Sequence, residues 1–132
     1  MAAPADLLAA LVRWAEADPR IVAAALAGSH ARGQARPGSD VDVVLLSETP
    51  DAFFADVSWL TQIGVVVRSA EERFGRVRTL RVWLDDGTEL ELDFAPADWA
   101  KAPLDPGTRR VVDGGFRVLF DRARAFAAIP SR

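Results

Sequence analysis

The sequence contains no cysteine and a single histidine, His30. Without cysteine the chain can form no disulfide, no thiolate zinc site and no iron–sulfur cluster. One histidine is also too few for a site built from several imidazoles. Any bound metal ion would therefore have to be held by oxygen ligands, which hard cations prefer.

The chain also lacks a large excess of charge of one sign and a long apolar run. Its 132 residues carry 16 basic and 19 acidic side chains, which leaves a net charge of −3. This balance predicts no general attraction to nucleic acid or to an anionic membrane. No segment approaches the ~20 apolar residues of a membrane span, and residues 1–16 are a poor secretory signal, so we expect a cytoplasmic protein.

Half of the residues are hydrophobic and 27% are charged, which is typical of a soluble globular domain. At this length a fold buries about two thirds of the surface that its unfolded chain exposes, which is enough for a core without disulfides. We therefore expect a single domain over residues 1–132. Its motif-bearing core is expected over 19–95 and a short extension over 96–132.

Apolar periodicity predicts an α+β order of elements. Residues 5–17 carry the stripe of an amphipathic helix, and residues 21–27 form a small-apolar run of strand length. Residues 85–87 (Asp-Asp-Gly) are typical of a hairpin turn. The order favours a mixed sheet with helices packed on one face. The other predicted elements are a helical turn and loop over 30–39, strands over 41–46, 62–68, 76–84, 88–95 and 116–120, and helices over 51–60, 108–112 and 121–129.

The most informative segment joins a Gly-Ser pair to two aspartates. Gly28 and Ser29 follow the first predicted strand, and Asp40 and Asp42 stand at the start of the next. Side chains two positions apart on a strand point to the same side, so both carboxylates can reach one cation. Without a cation, their mutual repulsion would raise the pKa of at least one of them. The spacing therefore indicates a site for a hard metal ion such as Mg²⁺ more than a proton relay.

A later strand supplies further carboxylates. In residues 89–94 the apolar positions share one face, and Glu89, Glu91 and Asp93 share the other. If this strand lies beside the one that begins at Asp40, Asp93 or Glu91 comes close to the aspartate pair. The preceding strand has a face that could border the same cleft, formed by Thr79, Arg81 and Trp83.

The Gly28-Ser29 pair favours a phosphate-binding turn. A glycine lets a phosphate approach the backbone, while the amides that follow and the Ser29 hydroxyl can donate to its oxygens. Arg32 and Arg36 lie in the same loop. These features together describe a site for a metal-bound polyphosphate, where two ions about 3.5–4 Å apart can clamp the attacking and leaving oxygens.

Residues 28–33 (Gly-Ser-His-Ala-Arg-Gly) and 37–43 (Pro-Gly-Ser-Asp-Val-Asp-Val) resemble the signature of the DNA polymerase β-like nucleotidyltransferase superfamily. There, a strand ends in Gly-Ser, an Asp-x-Asp follows at this spacing, and a later strand supplies a third carboxylate, as residues 92–94 (Leu-Asp-Phe) do here. Within the superfamily, the chain is most similar to small bacterial domains related to aminoglycoside adenylyltransferases of the streptomycin-modifying type. Residues 58–60 and 74–75 add to that similarity.

The resemblance implies a palm-like nucleotidyltransferase fold and the transfer of a nucleoside monophosphate, AMP from ATP, to a hydroxyl. It implies that Asp40, Asp42 and Asp93 are catalytic and bind two Mg²⁺ ions, which Mn²⁺ can replace. Asp93 or Glu91 could be the general base, and the residues alone leave this choice open. The nucleotide-binding residues that it implies are Gly28, Ser29, Arg32, Arg36 and Ser39.

The acceptor is less well defined. Adenylyltransferases of this type carry a helical C-terminal domain that helps hold the acceptor, whereas fewer than forty residues follow Asp93 here. The acceptor, a small molecule such as an aminoglycoside or a partner protein, could bind within a homodimer or against a small helical partner protein. The alternative function is a non-catalytic, antitoxin-like regulatory subunit that binds nucleotide or a partner. A polymerase is disfavoured because the chain has no basic stripe for nucleic acid.

Overall fold

The computed structural model describes residues 4–36 and 38–129. Pro37 of the predicted loop, and the ends of the predicted domain, lie outside the described residues. The strands are β1 Ile21–Ala27, β2 Val41–Ser47, β3 Val66–Phe74, β4 Val77–Leu84, β5 Glu89–Pro96 and β6 Phe116–Asp121. The helices are α1 Pro4–Ala17, α2 Gly28–Ala31, α3 Ala52–Ala55 and α4 Pro106–Asp113, with a 3₁₀ helix at Ser58–Gln62.

All six strands form one sheet in the order β3-β4-β5-β2-β1-β6. The two central strands, β2 and β5, run parallel, and every other neighbouring pair is antiparallel. The predicted α+β fold with a mixed sheet is therefore confirmed. None of the helices in the described part of the chain has the length and apolarity that a membrane span requires.

The larger part of the core lies between one sheet face and the helices α1, α3 and 3₁₀. Alternation along β2 and β5 directs Val43, Leu92 and their same-face neighbours into this layer, where both side chains are fully buried. Aromatic rings fill it, with Trp14 stacked on Trp59 at a centroid distance of 4.5 Å. These three helices gather on one face, as predicted, whereas α4 lies on the other.

A smaller apolar cluster covers part of the opposite sheet face. It contains Val44 of β2 and Ala95 of β5 together with Trp99 and Phe126, and Val111 of α4 packs against it. The candidate site lies at the charged end of this second face. The helix α4 and the segment before it form a wall beside the site.

The helix predicted over 51–60 is wrong as a continuous element. The chain forms α3, leaves helical geometry at Asp56 (φ −142°), and resumes as the 3₁₀ helix. The Asp56 carboxylate accepts a hydrogen bond of 2.9 Å from the Ser58 amide, and such a local side-chain bond competes with the helical ladder. The strand predicted over 62–68 begins later and is longer, because β3 pairs with β4 as far as Phe74 through a tight turn at Gly75 (φ +61°).

The helix predicted over 121–129 is also wrong. Residues 122–129 form bends and turns, organised by the Asp121 carboxylate, which accepts hydrogen bonds from the amides of Ala123, Ala125 and Phe126 at 2.9–3.2 Å. Arg124 adopts a left-handed conformation (φ +54°) that a helix does not allow. This turn directs Phe126 into the second apolar cluster.

Candidate active site

Three carboxylates, from β2, β5 and the loop before β2, come together at the end of the sheet where β2 and β5 begin. The parallel register places Asp42 directly opposite Glu91, and Asp40 precedes β2 by one residue. One carboxylate oxygen from each of the three residues lies within 4.8 Å of the other two. We call Asp40, Asp42 and Glu91 the carboxylate trio. Like charges at this separation repel strongly unless protons or a cation balance them.

Asp42 is the most perturbed member of the carboxylate trio. Burial, which is the largest cause, and the charges of Glu91, Asp40 and Asp93 together raise its pKa to about 8. Its Oδ1 atom is buried and has no hydrogen-bond partner among the described residues. A buried acceptor without a partner is costly, so its persistence in a folded protein is typical of a ligand-binding position.

Asp93 lies two residues beyond Glu91 on β5, opposite Val44, and is not a member of the carboxylate trio. It accepts a hydrogen bond of 2.6 Å from the Thr79 hydroxyl on β4. Burial and the charge of Glu91 raise the pKa of Asp93 against the lowering effect of the Thr79 hydrogen bond, and the net result is a pKa of about 7. The structure thus brings Glu91, rather than Asp93, opposite Asp42, although the resemblance assigned the third metal ligand to Asp93.

Gly28 lies against the Asp42 carboxylate. It has φ +73°, and a Cβ atom at this position would lie 2.7 Å from Oδ2 of Asp42. Its amide donates to the Gly115 carbonyl at 3.1 Å, which anchors the start of α2 to the chain just before β6. A glycine is therefore required here both by the left-handed backbone and by the space that the Asp42 carboxylate occupies.

The remaining predicted nucleotide-binding residues lie in α2 and in the loop between α2 and β2, and the structure separates them into two groups. Ser29 is half-buried in α2, beside Gly28, and the Ser39 hydroxyl accepts a hydrogen bond of 2.9 Å from the Arg36 amide. The Arg36 side chain is exposed next to this turn. Arg32 instead donates to the Gly114 carbonyl and to the Gln34 side chain, so its guanidinium holds the loop against the chain before β6.

Two polar residues on β4 complete the site, and the sequence analysis assigned neither of them a role. Thr79 is fully buried and bonded to Asp93, and Arg81 lies opposite Glu91 and donates to it at 2.7 Å. The only signal in the sequence was the shared strand face of Thr79, Arg81 and Trp83. Alternation predicts such a face, but it does not say which strand lies alongside.

A cavity of about 790 Å³ opens beside the acidic strand β5. Its floor includes Glu91, Asp93 and Val44, and its walls come from the β3–β4 turn and the first turn of α4. Trp99 and Phe74 give it aromatic surface, and Asp105 adds a further carboxylate. This volume falls within the range of small-molecule sites in proteins. Sequence analysis missed the cavity because its walls come from segments far apart in the chain.

The carboxylate trio fits a hard divalent cation. The donor set consists of oxygens alone, which suits Mg²⁺ or Mn²⁺ better than softer metals. The unpartnered Oδ1 of Asp42 fits a ligand bound at this carboxylate. A cation there would also relieve the repulsion that raises the pKa of Asp42.

Comparisons with known proteins give two similarities. A family model described as streptomycin adenylyltransferase matches residues 1–131 of the chain. A search of curated proteins finds no match. Among solved structures, the chain is similar to an aminoglycoside 6-adenyltransferase from Bacillus subtilis, with a TM-score of 0.52 and 18% identity, over 70% of this chain and 33% of that chain. The likeness to that structure is one of fold, and the chain spans about a third of its length.

Proposed function

Because the chain belongs to the streptomycin adenylyltransferase family, we propose that it transfers a nucleoside monophosphate, AMP from ATP, to a hydroxyl of a small aminoglycoside-like acceptor, with pyrophosphate as the leaving group. The observation that carries this proposal is the carboxylate trio beside Gly28, with an unpartnered oxygen on Asp42. A protein that only bound a partner would gain nothing from holding three like charges within 4.8 Å.

In this proposal the carboxylate trio binds the divalent ions, Mg²⁺ or in its place Mn²⁺. Glu91 takes the ligand position that the resemblance gave to Asp93, because Glu91 lies opposite Asp42 in the sheet. When bound, the ions neutralise charge on the triphosphate and lower the pKa of the acceptor hydroxyl. Asp40 and Asp42 face the nucleotide side of the site, next to the α2–β2 loop.

The start of α2 binds the phosphates. Because the Gly28 amide already donates to the Gly115 carbonyl, the donors proposed for the phosphate oxygens are the Ser29 hydroxyl and the next amides of α2. Ser29, Ser39 and Arg36 lie in the same loop and add polar contacts to the triphosphate. Arg32 has an indirect role, because its guanidinium holds this loop in place by donating to the Gly114 carbonyl.

The cavity beside β5 binds the acceptor. Its lining offers charged groups of both signs to the hydroxyl and amino groups of a polyhydroxyl compound, and its aromatic walls suit the apolar faces of sugar rings. These groups are the carboxylates of Glu91, Asp93 and Asp105 and the guanidinium groups of Arg76 and Arg110. Asp93 takes the proton from the acceptor hydroxyl, because a carboxyl group with a pKa of about 7 is poised for proton transfer near neutral pH. A cytoplasmic location, where ATP is abundant, belongs to the same proposal.

Thermal unfolding with and without Mg-ATP tests the nucleotide site directly. At a hundred times its dissociation constant, a bound nucleotide adds about 2.7 kcal/mol to the free energy of unfolding and raises Tm by several degrees. We expect this shift in the wild type and in the control Asp6→Asn, an exposed position on α1, and not in Asp42→Asn. Each variant is compared with its own ligand-free Tm, since Asp42→Asn relieves repulsion even without ligand.

Transfer itself is tested with labelled ATP and streptomycin or another aminoglycoside. Label that moves to the acceptor in the wild type, and not in Asp42→Asn, supports the proposal. A Mg-ATP shift without transfer to any aminoglycoside would favour the non-catalytic regulatory subunit. No shift in the wild type at millimolar Mg-ATP or Mg-GTP would contradict the proposed nucleotide site.

A further inference from the structure

Arg81 connects the carboxylate trio to the neighbouring strands. Its Nε donates to Glu72 of β3 at 2.6 Å, and its Nη2 donates to Glu91 of β5 at 2.7 Å. Its Nη1 lies 3.8 Å from a Glu89 oxygen and 4.0 Å from Oδ2 of Asp40. One guanidinium therefore faces four carboxylates, two of which belong to the carboxylate trio.

The sheet register explains this arrangement. Arg81 lies directly opposite Glu91, and Glu72 occupies the diagonal position because it pairs with Thr79, two residues away on β4. Direct and diagonal neighbours on one face are within reach of a long side chain. Only 27% of the Arg81 side chain is exposed, so these ion pairs are shielded from water more than a typical surface pair.

We propose that Arg81 is a resident counter-ion of the metal site, which balances Glu91 and Asp40 in the metal-free protein and competes with a divalent ion for them. The inference rests on the proposed metal site. In the absence of metal, the guanidinium supplies the positive charge that allows these acids to lie close together. When a cation binds the carboxylate trio, the same guanidinium repels it and keeps one Glu91 oxygen occupied.

In this proposal the metal site has a low affinity for divalent ions when no nucleotide is bound. Removing the guanidinium should tighten divalent-ion binding and, at the same time, destabilise the metal-free protein. A residue that merely held the fold together would show the second effect and not the first. Arg81 acts in this proposal as a positioning residue, since it touches the metal ligands rather than the reacting atoms.

Binding of Mn²⁺ alone, followed by the electron paramagnetic resonance signal of free Mn²⁺, tests the role of Arg81. We expect Arg81→Gln to bind Mn²⁺ about threefold to tenfold more tightly than the wild type. Its Tm in EDTA should be lower than that of the wild type, and Mn²⁺ should raise its Tm by more. Arg78→Gln is the matched control, because Arg78 lies on β4 with two carboxylate partners, Asp51 and Glu71, but on the opposite face.

Arg81→Lys is the second variant, for the case in which Arg81→Gln does not fold. Lysine keeps the charge but cannot bridge two carboxylates as a guanidinium does, so we expect a smaller tightening of Mn²⁺ binding. Unchanged or weaker binding in the folded Arg81 variants would overturn the counter-ion role alone. If the wild type itself bound no Mn²⁺, the proposed metal site would fail, and the role of Arg81 with it.

Discussion

The contact between Gly28 and Asp42 joins the two halves of the sequence motif in space. The Gly-Ser pair directly follows β1 and the Asp-x-Asp segment leads into β2, and on these adjacent antiparallel strands Ala27 lies opposite Asp42. The missing side chain of Gly28 leaves room for the Asp42 carboxylate. The spacing that suggested a phosphate site therefore also has a packing reason.

We expect Gly28→Ala to cost more stability than Gly33→Ala in the same loop. Both glycines have positive φ, +73° and +69°, so each substitution carries the same backbone strain of about 1–2 kcal/mol. A Cβ at Gly33 has no neighbour within 4 Å, whereas one at Gly28 would collide with Asp42. The collision should add about 1–3 kcal/mol and abolish Mn²⁺ binding. Urea unfolding measures the difference, and equal losses in the two variants would contradict it.

Glu91 and Asp93 should separate into a metal ligand and a proton acceptor. We expect Glu91→Gln to weaken Mn²⁺ binding at least about tenfold, because it removes one of three charged ligands. Asp93→Asn should leave Mn²⁺ binding nearly unchanged and lower kcat by about 10²–10⁴-fold, the contribution of a general base. Glu89→Gln, on the same strand face but outside the carboxylate trio, is the control. A loss of Mn²⁺ binding in Asp93→Asn would return the ligand position to Asp93.

The choice between these two acids shows where prediction from the sequence ends. Spacing alone identified Gly28, Asp40 and Asp42 as neighbours, because the residues lie close in the chain and their strands are adjacent. Alternation showed that Glu91 and Asp93 share a face, but both satisfy the same pattern. Only the register of β5 against β2 decides which carboxylate lies opposite Asp42, and register depends on contacts along the whole pair of strands.

At the scale of elements, strands were predicted better than turns. The runs that became β1, β2, β5 and β6 are bounded by glycine, proline or polar residues, and their apolar content already shows which strands are buried. Each of the two wrong helix predictions includes an aspartate that forms a local turn instead. Asp56 and Asp121 bond to nearby backbone amides, and composition does not distinguish such a local turn from the acidic start of a helix.

The β4–β5 pair should make stability depend on pH through Thr79 and Asp93. A carboxyl group whose pKa is raised on folding to about 7 stabilises the fold at low pH, and this contribution is lost as pH rises through 7. Thr79→Val removes the bond that favours the ionised form. We therefore expect a loss of about 1–3 kcal/mol at pH 8 and a smaller loss at pH 6, where Asp93 is mostly protonated.

Urea unfolding in EDTA at the two pH values measures this dependence on Thr79. Thr79→Ser is the control, because it keeps the hydroxyl and should lose less stability, by a similar amount at both pH values. A loss in Thr79→Val that is the same at pH 6 and pH 8 would show that the threonine contributes packing rather than a bond to ionised Asp93.

At the scale of the whole molecule, one sheet face presents both proposed sites. The carboxylate trio lies where β2 and β5 begin, and the cavity lies further along the same face, under the first turn of α4. Glu91 belongs to both. A hydroxyl bound in the cavity would therefore lie next to the proposed metal ligands, although the similar solved structure is about twice as long as this chain.

This arrangement predicts that the rate of adenylyl transfer per molecule is independent of enzyme concentration. If the acceptor binds in the cavity beside β5, specific activity should stay constant over about a hundredfold range of enzyme concentration. A homodimer that completed the acceptor site would instead make specific activity rise with concentration, in step with the dimer measured by light scattering. A helical partner would raise activity only when added.

Val111→Trp adds bulk at a half-buried position of the cavity wall. We expect it to raise KM for the acceptor and to leave the Mg-ATP shift in Tm intact. An unchanged KM for the acceptor would mean that the acceptor binds elsewhere.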